Sequence, residues 1–314
     1  MCTVHLHRDF TNRLLHIVWG KKLSPDIDHL RQWVGRTEVS TDQVGTFAAA
    51  GLAATLNAGH RQLRAGAPLP PTWHWLYFLH AHPQSELDAD GHPRRGGFLP
   101  PVPLPRRMWA GSRLEFHHPL HLGDHIERTS QIADVTHKQG QSGSLVFLKV
   151  RHSISNAAGL AISEEQDIVY RDAPVPGTPL PAARPAPDHA AWEERVHPAE
   201  TLLFRYSALT FNSHRIHYDR PYATRVEGYA GLVVQGPLVA TMLLELVARR
   251  RPDAQVLAFS FRAIRPLLDS ADFSLCGTPS ADGKSVRLWT RDADGWMTME
   301  AEAMLGEPLP EQMK

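Results

Sequence analysis

Between Ala173 and Pro187 the chain reads Ala-Pro-Val-Pro-Gly-Thr-Pro-Leu-Pro-Ala-Ala-Arg-Pro-Ala-Pro. Each proline fixes φ and removes a backbone donor, so neither a helix interior nor a central strand fits there. The stretch is expected to run as an extended linker over residues 173–190, cutting the 314-residue chain near its midpoint. Two units of ordinary domain size follow from that cut, at 23–172 and 191–314, with residues 1–22 unassigned. A second Pro/Gly-rich stretch, Gly91 to Pro105, reads as a long surface loop inside the first unit.

The two units look alike. The first contains Arg113-Leu-Glu-Phe-His-His-Pro-Leu-His-Leu-Gly-Asp124, then Gly143–Arg151, an Asn156-Ala-Ala-Gly159 turn and an alternating run to Tyr170. The second contains Phe259-Ser-Phe-Arg-Ala-Ile-Arg-Pro-Leu-Leu-Asp269, then Lys284–Thr290, an Asp292-Ala-Asp-Gly295 turn and an alternating run to Met304. Each has an apolar-Pro-Leu corner, a strand, an Asx turn closed by glycine and a last strand. Upstream of each strand set lies one helical segment, about Asp42–Leu56 and about Pro237–Arg250. Pro237 suits a first turn, where its missing N–H would be unpaired anyway. The pattern predicts an α+β fold in which a sheet wraps around a helix, twice; two unrelated α+β domains are the alternative.

Bulk properties narrow the partners. Hydrophobic residues at 42% supply a core, and Lys+Arg and Asp+Glu balance at 33 each, which favours neither nucleic acid nor an anionic membrane. Two cysteines, Cys2 and Cys276, make no disulfide framework and point to a reducing, cytoplasmic compartment. Met1–Phe10 has no apolar core of the secretory kind. The longest apolar stretch, Leu238–Val247, is interrupted by Thr241 and Glu245 and reads as a buried helix, short of the roughly 18 residues that cross a bilayer. His117, His118, His121 and His125 fall on an expected strand, whose side chains alternate between faces, and no HExxH or CxxC spacing occurs; no metal is expected.

Chemistry concentrates in Tyr206-Ser-Ala-Leu-Thr-Phe-Asn-Ser-His-Arg-Ile-His-Tyr-Asp219, followed by Gly231-Leu-Val-Val-Gln-Gly-Pro-Leu238. Two imidazoles (His214, His217), a carboxamide (Asn212) and a carboxylate (Asp219) lie within eight residues, just before an apolar helix entered through Gly236-Pro237. Such a cluster suits activation of water, with an oxyanion held by backbone N–H groups.

This run resembles the MaoC-like, (R)-specific enoyl-CoA hydratase family, whose signature reads Asp-x-Asn-Pro-Ile/Leu-His-x-Asp, then an alanine, a glycine-aromatic pair and His-Gly at a helix start. The matching positions are Asn212–Asp219, Ala223, Gly228-Tyr229 and Gln235-Gly236. Asn212, His214, Arg215 and Gln235 replace the family's Asp, Asn, Pro and His. That variant is similar to the branch of mesaconyl-C4-CoA (3-methylfumaryl-CoA) and itaconyl-CoA hydratases, close to the mitochondrial-type hydroxyacyl-thioester dehydratases. Leu30–Arg36, Leu52–Leu56 and Pro71-Thr-Trp-His-Trp-Leu76 resemble the degenerate N-terminal hot dog of these enzymes, so the likeness covers about residues 28–305.

The resemblance implies a double hot dog fold and reversible hydration of an enoyl-CoA, a short, branched, carboxylated one, without a cofactor. His217 falls where the family has its catalytic base, and its imidazole titrates in the right range. Asn212 falls on the family's acid/base carboxylate; it cannot shuttle protons, but its carbonyl can orient water and its NH₂ can donate to a substrate oxygen. Gly236 begins the central helix, whose free N–H groups suit a thioester oxyanion. His214 and Arg215 are candidates for the substrate carboxylate, Asp219 for orienting a neighbour, Gln235 for substrate binding, and Arg262 and Arg265 for the phosphates of coenzyme A. A homodimer is the expected assembly. An acyl-CoA thioesterase on the same scaffold and a non-catalytic acyl-thioester binding protein remain alternatives.

Overall fold

Alternation of apolar and polar residues builds the strands. In one of them Val146, Leu148, Val150, His152 and Ile154 are buried while their neighbours are not, the period-2 pattern of a sheet with one covered face. The computed structural model describes residues 25–59, 61, 63–140, 143–173 and 183–307. The segment 1–22 and residues 174–182 of the expected linker lie outside the described residues. In chain order the elements are α1 (Ile27–Arg31), β1 (Thr37–Gln43), α2 (Thr46–Thr55), β2 (Arg106–Phe116), β3 (His125–Gly140), β4 (Gly143–Asn156) and β5 (Gly159–Arg171). After the connector come β6 (Trp192–Val196), α3 (Glu200–Leu209), α4 (Arg220–Arg225), α5 (Gly236–Arg250), β7 (Gln255–Ala263), β8 (Phe273–Pro279), β9 (Ser285–Arg291) and β10 (Met297–Gly306).

Read outward from the middle of the sheet, the first half runs β2-β5-β4-β3-β1 and the second β7-β10-β9-β8-β6. The internal repeat is therefore a repeat of topology, strand for strand. The two predicted sheets do not stay apart: β2 pairs antiparallel with β7, Gly111 opposite Arg262 through Glu115 opposite Ala258, and fuses them into one ten-stranded sheet. The Asx turns fall where expected, at Asn156–Gly159 and before Trp296, with Gly159 and Gly295 at φ +112° and +85°.

The second predicted helix is observed as α5, and Leu238 through Val247 are all buried. A helix apolar all round belongs inside a core. Its one carboxylate, Glu245, accepts bonds from Arg61 Nη2 at 2.9 Å and Trp73 Nε1 at 3.1 Å, both from the first half. Left unpaired at that depth it would cost several kcal/mol. The main core joins α2, the Trp73–Phe78 region and α5 with strands of both halves.

Three expectations are corrected. The first helix starts at Thr46, not near Asp42, because Thr37–Gln43 pairs along β3 and Asp42 accepts the Phe78 N–H at 2.6 Å. Of the four histidines placed on a strand, only His125 is in one; His117, His118 and His121 occupy the corner after β2, with separate partners in Ser163, Gly159 and Asp124. The Gly91–Pro105 loop does not simply cover the surface. It begins by docking Gly91 and His92 on the segment that carries His214 and His217.

The fused sheet leaves no room at its seam. A Cβ on Gly111 would lie 2.3 Å from the Phe261 carbonyl oxygen on β7. Gly111→Ala is therefore expected to destabilise the fold by roughly 1–3 kcal/mol, read as a lower urea midpoint. An unchanged midpoint would mean the two halves do not meet edge to edge.

Candidate active site

The helix α3 ends at Thr210, and Phe211, at φ +48°, turns the chain while the Asn212 N–H closes on the Ser207 carbonyl at 2.8 Å. Asn212 then accepts the His214 N–H at its Oδ1, 3.0 Å away. That bond fixes which end of the amide is oxygen, and leaves the NH₂ group as the free donor. A tight 3₁₀ turn, Arg215–His217, delivers His217. Its Nδ1 lies 2.7 Å from the Val233 carbonyl oxygen. A carbonyl only accepts, so Nδ1 carries the proton and Nε2 keeps its lone pair.

Val233 stands three residues before Gly236, so this bond ties His217 to the start of α5. The N–H of Gly236 has no intrahelical acceptor, Pro237 has none to offer, and the positive end of the helix dipole lies here. Both His217 and Gly236 line one cavity of about 840 Å³ between the halves. Asn212, His214, Gln235 and Arg265 line it as well. Gln235 caps no N–H; its Nε2 donates to the Leu203 carbonyl and to Ser207 Oγ, both at 2.9 Å, while its buried Oε1 has no partner among the described residues.

Arg215, Asp219 and Arg262 are absent from the cavity wall. Arg215 pairs with Asp219 at 2.7 Å, stacks on Tyr222 and donates to the Ala89 carbonyl, so it is committed away from a substrate carboxylate. Asp219 caps α4 by accepting the Tyr222 N–H. Arg262 sits on the exposed face of β7 and pairs with Glu300 at 2.8 Å. Arg265 faces Asp292 more loosely, at 3.9 Å.

The first half supplies residues that the motif did not reveal. Asp90 accepts from the His92 N–H at 2.9 Å and pairs with His92 Nδ1 at 3.0 Å. The His92 ring lies 4.1 Å from that of His214, which in turn meets His217 edge-on at 5.4 Å. Trp75, Arg107, Trp109 and Gln166 complete this side. Trp75 and Gln166 are held by Glu164, which also takes bonds from His74 and Ser112. Burial pushes the Glu164 carboxyl up, but the bond and charge of His74 prevail and hold it at about 2. The one available signal was the Asp88-Ala-Asp-Gly-His92 turn, too common a pattern to mark a site by itself.

Electrostatically the site is a nest of neutral imidazoles. Burial pushes His217 down to about 4 from its ordinary 6.5. His214 is pushed down by burial and by the neighbouring His92 and His217 rings. His92 is lowered by burial and by the charge of Arg107, against the pull of Asp90. Asp90, His92 and His214 offer ligand atoms within 4.8 Å of one another, the group among the described residues with the right donors for a cation. In this fold a hydrogen bond already joins two of the three, Asp90 and His92.

A family model for hydroxyacyl-thioester dehydratase type 2 matches residues 72–269. The chain belongs to this family, and it is a hydro-lyase acting on the enoyl/hydroxyacyl pair of an acyl thioester. Among its relatives, the mesaconyl-C(4)-CoA hydratase of Chloroflexus aurantiacus is 50% identical over 277 residues, 87% of this chain and 97% of that protein. A solved MaoC-like dehydratase superposes with a TM-score of 0.66 at 14% identity, covering 88% of this chain and 99% of its own. A Mycobacterium tuberculosis protein described as a double hotdog fold superposes with a TM-score of 0.53 at 14% identity, covering 87% and 96%. At such identities the likeness speaks for the fold, which is the double hot dog.

Two outcomes follow from this geometry. A Cβ on Gly91, at φ +91°, would lie 1.9 Å from the Ser213 carbonyl oxygen, so Gly91→Ala is expected to lift the loop off the motif. A shift of about 1 Å in a catalytic segment costs on the order of 100-fold in rate, and the assay is kcat/KM of purified, folded variant. His217 is depressed in the folded state, so between pH 6.5 and 4 the unfolded chain binds a proton that the folded chain does not. Its contribution to stability is complete above that window and is lost as pH falls through it. The acid limb of kcat/KM is expected below pH 5, and a limb at 6.5 would show that this imidazole is not buried.

Proposed function

We propose that this enzyme adds water reversibly to a short, branched, carboxylated enoyl-CoA of the mesaconyl-C4-CoA type. The observation that carries the reading is His217: its Nδ1–H is tied to the Val233 carbonyl, its Nε2 makes no hydrogen bond among the described residues, and Gly236, the first residue of α5, lines the same cavity. Nε2 takes a proton from water as the water oxygen bonds to the β-carbon. The alkene electron pair moves to the α-carbon and on to the thioester oxygen, where the Gly236 N–H and the helix dipole stabilise the enolate. The protonated imidazole then returns its proton to the α-carbon. One water is consumed and no electrons are transferred, so the reaction requires no redox cofactor.

Asn212 acts through its NH₂ group, donating to an oxygen of water or substrate, since its carbonyl is held by the His214 N–H. In a mesaconyl-C4 thioester the β-carbon bears both the methyl group and the free carboxylate. An aspartate at this position would repel that anion; a carboxamide does not. The 50% identity to a mesaconyl-C(4)-CoA hydratase supports this acyl group.

We further place the protein in the cytoplasm, from its two cysteines, and read it as a homodimer, since β1 and β6 leave both ends of the sheet open. Among the described residues no helix is long and apolar enough to cross a membrane. Balanced charge gives no basis for nucleic-acid binding.

The test is loss of enoyl absorbance from mesaconyl-C4-CoA and crotonyl-CoA, with and without a chelator. His217→Ala is expected to lower kcat by roughly 10²–10⁴-fold, and the chelator to change nothing. Full activity in that variant would remove the mechanism, and release of free thiol with the double bond intact would mark a thioesterase.

A further inference from the structure

A carboxylate that leaves water for a partly apolar cavity needs a cation. The base and the two imidazoles near it, His92 and His214, are held neutral, and Arg215 is paired elsewhere. Two arginines line the cavity, Arg107 and Arg265. Arg265 already faces Asp292. The guanidinium of Arg107 makes no ion pair or hydrogen bond among the described residues. Its neighbours do: Arg106 pairs with Glu227 at 2.8 Å and stacks over Tyr229, while Arg95 donates to the Val102 and Leu104 carbonyls.

Arg107 is also placed firmly. It lies on β2 opposite Tyr170 of β5, on the strand that β7 holds from the other side. Met108 and Trp109 on the same strand, and Ile168 opposite Trp109 on β5, line the cavity with it. It is close enough to His92 and His214 for its charge to oppose protonation of both. That puts it at the imidazole end of the cavity, where the acyl group reacts, rather than with the phosphates of coenzyme A.

We propose that Arg107 is the specificity-determining residue that receives the free carboxylate of the acyl group, selecting CoA thioesters of dicarboxylic acids over those of plain fatty acids. The assignment rests on the hydration reading above and names its substrate contact. Arg presents two parallel N–H donors that match a carboxylate. In a fumaryl-type acyl group the carboxylate lies about 4 Å from the thioester carbon, so the same guanidinium also offsets the charge beside the carbon that water attacks.

The experiment compares kcat/KM for mesaconyl-C4-CoA and crotonyl-CoA in wild type, Arg107→Gln and Arg107→Lys. The mesaconyl-to-crotonyl ratio is expected to fall roughly 10- to 100-fold in R107Q, the loss of one charged hydrogen-bonding partner, and to recover in part in R107K. A ratio that does not move overturns the assignment, even if both activities decline. Competition on unmodified protein needs no variant: succinyl-CoA should inhibit at least 10-fold better than butyryl-CoA on the same grounds, and equal inhibition overturns the assignment. Wild type that hydrates neither enoyl-CoA overturns the hydration reading itself; wild type that hydrates both, with an unmoved ratio in R107Q, overturns only the role of Arg107.

Discussion

Backbone hydrogen bonds between β2 and β7 make one molecule of two similar halves. Without that pairing each half would present an open strand edge, and each would have to bury its sheet face alone. With it, a single sheet curves across both, and the carbonyl of Trp109 on β2 comes next to the first residue of α5. The cavity exists because of this seam: one wall is first-half strand, the other is second-half loop and helix.

Two buried carboxylates make the arrangement rigid. Glu245 draws Arg61 and Trp73 onto the back of α5, so the first half grips the helix whose first residue lines the cavity. Glu164 collects His74, Trp75, Ser112 and Gln166, which sets the side chains of Trp75 and Gln166 at the cavity. A buried charge tolerates few geometries, because each lost bond leaves part of it unsolvated. The first half thus has a framing role although its own helix α2 is only 10 residues long, against 15 for α5.

The neutral imidazoles follow from burial. A base that stays neutral well below pH 7 needs no deprotonation before it accepts a proton from water, though a weakly basic imidazole pulls less hard on that proton. The hydrogen bond from Nδ1 to a carbonyl partly offsets this by favouring the imidazolium as it forms. The replacement of the family's carboxylate by Asn212 leaves this end of the cavity without an anion on the motif itself, and Asp90 is held by His92. Such a cavity sets no motif carboxylate against an anionic acyl group.

The sequence by itself determined what local chemistry can determine. Period-2 runs fixed the strands, Asx-Gly turns their hairpins, the apolar 238–247 run the central helix, and the spacing of Asn212, His214 and His217 ahead of Gly236 the motif. It misplaced what depends on pairing at a distance: Asp42 entered a strand, the corner histidines left one, and Arg262 turned to Glu300. Tertiary structure alone decided that the loop around Asp90–His92 lies against the motif, and that Arg107 shares its cavity. The physical reason is that period and turn chemistry are written in neighbouring residues. Which cation meets which anion, and which loop meets which site, is settled only when strands 150 residues apart find each other, as Gly111 and Arg262 do.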